Sequence, residues 1–113
     1  MKRQYRLRKN ADFQRIRRFG KSKSNRLVVL IVLPNRLNHN RFGFAVSKRI
    51  GKAVRRNKIK RQMREALRLR QEQIQPGWDM LFIARVPIQQ AGYQEIARSV
   101  YNLVDQFVLF KEM

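Results

Sequence analysis

At 113 residues the chain has the size of one ordinary domain, and its 27 Lys and Arg against 7 Asp and Glu leave a net charge of +20. Apolar residues make up 43% and fall in strong runs, which excludes a wholly disordered chain and calls for a modest core. The absence of cysteine and the single histidine, His39, exclude disulfides, thiolate zinc sites and histidine-rich metal clusters.

The first predicted element is a helix from Asn10 to Gly20, with Asn10 as N-cap, Asp12 in the first turn, Phe13 and Ile16 on one face and Gly20 as the stop. Leu27 to Leu33 is a continuous leucine and β-branched run ending at Pro34, which fits a well-covered strand. The polar turn from Pro34 to Arg41 leads to a second strand, Phe42 to Ser47, expected to pair with the first as a hairpin before Gly51 breaks the chain. From Val54 to Ile74 the period is helical, with Ile59, Met63, Ala66, Leu67 and Ile74 in one apolar stripe. On the same projection Asn57, Lys60, Arg61, Arg64 and Arg68 form a separate basic ridge. A third strand is predicted over Met80 to Val86. A last amphipathic helix follows, carrying Ile96, Val100, Leu103, Phe107 and Phe110. The order is α-β-β-α-β-α.

Charge is segregated along this order. Residues 1 to 70 hold 24 of the 27 cations and only Asp12 and Glu65 among the acids, whereas residues 71 to 113 are slightly acidic. So uncompensated a surface resists compaction unless a polyanion binds, and binding belongs to the first two-thirds of the chain. A membrane surface is disfavoured, because no basic segment carries a separate aromatic-rich face, and no run approaches the roughly 20 apolar residues that span a bilayer. The Leu27 to Leu33 run is also short for a signal-peptide core, so a soluble, cytoplasmic protein is expected.

Chemistry by the polypeptide itself is not expected. One histidine cannot act as both general acid and general base, the seven acids are too scattered for a two-metal cage, and no phosphate-cradling glycine loop is present.

One stretch is more specific than basicity. Ser47-Lys48-Arg49-Ile50-Gly51-Lys52-Ala53-Val54 runs into Arg56-Asn57, Lys60-Arg61 and Arg64, and this closely resembles the signature of the protein subunit of bacterial ribonuclease P. The resemblance extends nearly end to end, from the Asn10 to Gly20 helix to Ile83-Ala84-Arg85 in the later strand. It implies a single RNA-binding domain over residues 1–113, a small α/β (α+β) sandwich like the second domain of ribosomal protein S5. Its β-α-β crossover would be left-handed, against the usual preference.

The function implied is that of an accessory subunit. The catalytic centre lies in a large RNA that uses Mg²⁺ to remove the 5′ leader of precursor tRNA, while the protein holds no cofactor and forms a 1:1 complex as a monomer. Contact with the catalytic RNA falls by resemblance to Lys48, Arg49, Lys52, Arg56, Asn57, Lys60, Arg61, Arg64 and Arg68. The single-stranded leader falls to a cleft with Phe13, Arg17, Ile31 and Val46. Arg17 and Ile31 stand where aromatics are frequent in the family, which implies a more ionic platform with Phe19 as an unaligned substitute; Phe13 reads as a stacking platform, with a core residue as the alternative. Size, charge and a mixed fold alone suit a structural RNA-binding protein of the ribosome, the alternative reading, and a DNA-packaging protein comes last. The ordered Arg-Asn, Lys-Arg, Arg helix between two predicted strands favours the ribonuclease P subunit.

Overall fold

A computed structural model describes residues 1–107 and 109–111. In chain order it contains α1 (Asn10–Phe19), β1 (Lys21–Ser24), β2 (Val28–Pro34), β3 (Arg41–Ala45), α2 (Ala53–Arg68), β4 (Trp78–Ala84) and α3 (Tyr93–Gln106), with short 3₁₀ turns between them. The four strands form one mixed sheet in the order β1-β2-β4-β3. β2 runs antiparallel to both β1 and β4, and β3 runs parallel to β4.

The alternation of side chains sorts this sheet into two faces. Val28, Leu30 and Val32 of β2 stand in register with Ala84, Phe82 and Met80 of β4, and all pack in the larger core with Ile59, Met63 and Leu67 of α2 and Ile96, Val100 and Leu103 of α3. The other face carries Ile31, Leu81 and Ile83 beneath α1, whose Ile16 forms a smaller cluster with Leu7 and Leu81. The result is a sandwich with one helix above the sheet and two below.

The expected hairpin does not form. β4 lies between β2 and β3, so the two strands that are consecutive in sequence never pair. The reason is burial: Met80, Leu81 and Phe82 are apolar on both faces and suit a central strand, while β3 carries Arg41 and Gly43 and takes the edge. A fourth strand also appears where none is predicted. β1 reads Lys-Ser-Lys-Ser and is exposed throughout, so it has no apolar alternation to announce it; it completes the free edge of β2 and places lysines where another chain would otherwise pair.

Element ends shift for local reasons. Asn10 is the first helical residue and Lys9 the N-cap, which makes no side-chain cap bond. Gly20 does end α1: its N–H donates to Ile16 O at 2.8 Å, and a Cβ there would lie 2.5 Å from both Ile16 O and Ile31 Cγ2. α2 ends at Arg68, and Ile74 reaches the core from extended backbone after a 3₁₀ turn, forming a bridge with Phe110. α3 ends at Gln106, so Phe107 and Phe110 lie beyond the helix whose period they continue. The third predicted strand starts earlier, at Trp78, and Val86 is exposed in the turn that follows. Gly77, with φ 97°, supplies the left-handed turn that enters β4.

Candidate nucleic-acid interface

The basic ridge begins in the turn before α2. Ile50 is buried and anchors the 3₁₀ turn Lys48–Ile50, which leaves Lys48, Arg49 and Lys52 exposed around it. Arg56 Nη1 donates to Gly51 O at 3.0 Å and so ties this turn to the helix. Along α2, Asn57 and Arg61 are exposed while Lys60 and Arg64 are half-buried, as expected for the band beside the apolar stripe of Ile59, Met63, Ala66 and Leu67. Arg68 differs from the others. It forms a two-point pair with Glu65, Nη2 to Oε1 at 2.6 Å and Nε to Oε2 at 3.0 Å, so its charge is already matched, and the same bonds lower the Glu65 pKa.

Arg64 connects the ridge to the sheet. Its guanidinium lies 5.7 Å from the centre of the Phe44 ring, and Phe44 stacks on Phe82 with centroids 5.7 Å apart. Its Nε is buried without a hydrogen-bond partner among the described residues. Burial first, and then the like charges of Arg6 and Arg61, push its pKa down, so an anion at this point would relieve both. Arg6, Arg8, Phe13, Phe44, Lys60 and Arg64 together line a pocket of about 220 Å³ at the outer edge of β3.

On the α1 side, Phe13 sits on the backbone of β3. A Cβ at Gly43 would come within 2.7 Å of Phe13 Cε1 and 3.2 Å of Leu7 Cδ1, so glycine provides the seat for the ring. The ring is half-buried against the Leu7, Ile16 and Leu81 cluster and also borders the pocket, a position between core and open surface. Arg17 is exposed one turn further along the same flank, and Ile31 is half-buried on this face near Gly20. At 100° per residue Asp12, Arg15 and Phe19 fall on the opposite flank of α1 from Phe13 and Arg17. Phe19, 64% exposed with Arg18 at 5.2 Å from its ring, therefore lies away from the flank of Arg17, where it would have to stand in for the missing aromatic.

Val46 is a correction. It packs in the larger core on the α2 and α3 side, because alternation along the strand sends it opposite to Ala45, and Ala45 is the residue that shares the α1 face with Ile83. Phe44 is absent from the sequence-based site. Its signal is an aromatic two residues from Phe42 in a strand leading directly into the basic turn. Arg6 and Arg8 are likewise unmarked, because the chain before α1 shows no periodicity; Leu7 N–H donates to Phe42 O at 2.8 Å and brings them to the β3 edge.

The chain matches the family model for ribonuclease P over residues 1–108. The chain belongs to the ribonuclease P protein family. It is 45% identical to the ribonuclease P protein component of Herpetosiphon aurantiacus over 112 residues, covering 99% of this chain and 91% of that one. To the component from Clostridium kluyveri it is 46% identical, covering 95% and 97%. The solved ribonuclease P protein of Staphylococcus aureus superposes with a TM-score of 0.89 at 39% identity, over 95% of this chain and 98% of that one. That of Thermotoga maritima gives 0.83 at 32% identity, over 89% and 96%.

Family membership makes the chain the protein component of a ribonucleoprotein that processes the 5′ end of tRNA, with the ribonuclease P RNA as its partner, and sets aside the ribosomal alternative. Among the described residues no helix is long and apolar enough to cross a membrane.

Proposed function

We propose that the turn at Lys48, Arg49 and Lys52 and the ridge through Arg56, Asn57, Lys60, Arg61 and Arg64 dock on the catalytic RNA, while the α1 face of the sheet receives the unpaired 5′ leader of precursor tRNA. The observation that carries this reading is the pocket at the edge of β3. It joins a half-buried aromatic, Phe13, to the ridge cations Lys60 and Arg64, so one strand of RNA meets apolar surface for bases and guanidinium or ammonium for phosphates within a single pocket. Arg17, Ile31 and Ile83 extend that surface, and Arg68, matched by Glu65, contributes least charge to the ridge.

The divalent ions belong to the RNA in this reading. The neighbouring carboxylates Asp12 and Asp79 are both engaged by Arg15 and Arg41, and among the described residues no group of three or more His, Asp or Glu side chains is placed to hold a metal. We further infer one RNA-binding domain over residues 1–113, a left-handed β3-α2-β4 crossover with the fold of the second domain of ribosomal protein S5, one protein per RNA, and a cytoplasmic site of action. Each is supported by the family resemblance.

Reconstitution with the cognate RNA tests the function. The protein is expected to raise cleavage of precursor tRNA at limiting Mg²⁺, more for a leader of several nucleotides than for a single-nucleotide leader, and to cleave nothing when free of RNA. Cleavage by rigorously RNA-free protein, or equal stimulation of both substrates, would overturn the reading.

A further inference from the structure

Acids are scarce in this chain, yet two of them meet beside α1. Asp79, at the start of β4, is fully buried, and its carboxylate accepts four hydrogen bonds. They come from Arg41 Nε at 2.8 Å, Arg41 Nη2 at 2.7 Å, Arg15 Nη2 at 2.9 Å and Asn35 Nδ2 at 3.0 Å. Arg15 Nη2 also donates to Asp12 Oδ1 at 3.2 Å, and Arg41 Nη1 lies 3.7 Å from Asp12 Oδ2. Two carboxylates thus balance two guanidiniums within a protein of net charge +20. A buried carboxylate is tolerated when its lone pairs are filled in this way. The bonds to Asp79 in turn hold Arg41 above the ordinary guanidinium pKa, against the burial that lowers it.

The members of the cluster have different structural roles. Arg41 and Asp79 are register partners on adjacent strands, and their pair would exist without α1. Arg15 and Asp12 belong to α1 and reach from its flank to the sheet. The opposite flank carries Phe13 and Arg17. A ten-residue helix whose one fully buried residue is Ile16 could roll about its axis, and that roll would raise or lower Phe13 over Gly43. Charge-assisted bonds along one flank fix the roll and with it the height of the other.

We propose that Arg15, Asp12 and Asp79 are positioning residues: the cluster locks the roll of α1 on the sheet and so sets the cleft that receives the leader. The proposal rests on the assignment of that cleft made above. It differs from a direct role for Arg15, whose side chain is 45% exposed and could otherwise touch a phosphate.

The test uses the reconstituted holoenzyme and variants that keep the buried pair. Arg15→Met leaves Asp79 bonded to Arg41 and Asn35, so the fold is retained, which a melting curve checks. Its affinity for long-leader precursor tRNA should fall about tenfold, the effect of a small misplacement of a binding group, with leaderless tRNA and catalytic-RNA binding unchanged. Two readouts separate positioning from contact. The salt dependence of long-leader binding should keep its slope, and Asp12→Asn should weaken binding in the same direction as Arg15→Met, while Arg15→Lys restores part of it. If Arg15 instead touches phosphate, Arg15→Met flattens the log-log slope by about 0.7 and Asp12→Asn, by freeing the arginine, tightens binding; that pair of results overturns the proposal. Parent-like long-leader affinity in both Arg15→Met and Asp12→Asn overturns it as well, leaving the cluster a purely structural role. Failure of the cleft assignment has its own signature, since the unaltered holoenzyme would then bind long-leader and leaderless tRNA alike, and the proposal would fall with it.

Discussion

Phe13 shows how one residue can pack against the core and still line an open pocket. Its ring lies on Gly43 and against Leu7, and the same ring borders the pocket that Lys60 and Arg64 close from the other side. Truncation to alanine would confuse the two roles, so leucine is the informative substitution: it fills the apolar cluster but removes the stacking face. Phe13→Leu should stay within about 1.5 kcal/mol of parent stability by chemical denaturation, as expected of a near volume-conserving change. Its affinity for long-leader precursor tRNA should nevertheless fall by about 1 to 3 kcal/mol, the range for one base stacked on an aromatic. A large loss of stability with unchanged relative preference for the leader would make the ring core alone. At this scale the sequence is informative about residue type and less so about direction. Phe13 and Arg17 can be placed on one flank of α1 by helical period, whereas Val46 falls on the wrong face because the facing of a strand depends on its register with β4, which residues 42–47 do not encode by themselves.

Elements were legible wherever apolar residues repeat, and obscure where partners decide. The stripe of Ile59, Met63, Ala66 and Leu67 predicts both α2 and, by subtraction, its basic ridge. β1 has no stripe, and the neighbours of β2 follow from which strand is apolar on both faces rather than from chain order. The ends of α2 and α3 escape prediction for a related reason. Ile74 and Phe110 continue the helical periods but meet each other in a short bridge, and Gln75 N–H donates to Leu109 O at 2.7 Å, so tertiary pairing takes the segments that periodicity assigns to helix. The ridge itself is best tested at its most exposed positions, because Arg64 packs on Phe44 and its loss would disturb the sheet. Arg49→Glu combined with Arg61→Glu should leave the melting temperature close to that of the parent and weaken catalytic-RNA binding. The log-log salt slope should fall by about 0.7 to 0.9 for each phosphate contact removed. Parent-like affinity and slope in the folded variant would remove the ridge from the interface.

For the whole molecule, charge is the dominant fact. Twenty uncompensated positive charges oppose a core built largely from one sheet face and two helices, and four of the seven acids, Asp12, Asp79, Glu65 and Glu95, are already paired with arginines. Anions that bind the folded surface should therefore stabilise it by linkage. Sulfate or phosphate is expected to raise the melting temperature by several degrees over chloride at equal ionic strength, and equal melting temperatures would argue against specific anion sites. The segregation of charge into the first two-thirds of the chain identifies a polyanion partner from composition alone. The proposed division of labour between the two surfaces draws on the fold, because Arg6, Phe13, Phe44 and Arg64 meet only when β3 becomes the edge strand.

That division is the central claim, and one set of binding curves tests it most directly: titration of parent, Phe13→Leu and Arg49→Glu/Arg61→Glu protein into the catalytic RNA, followed at saturation by affinity for long-leader and leaderless tRNA. The ridge variant is predicted to need more protein to assemble and then to keep the parent's preference for the long leader. Phe13→Leu is predicted to assemble at parent concentrations and to lose that preference. If both variants instead lose assembly and leader preference together and in proportion, the two surfaces are one, and the account is contradicted.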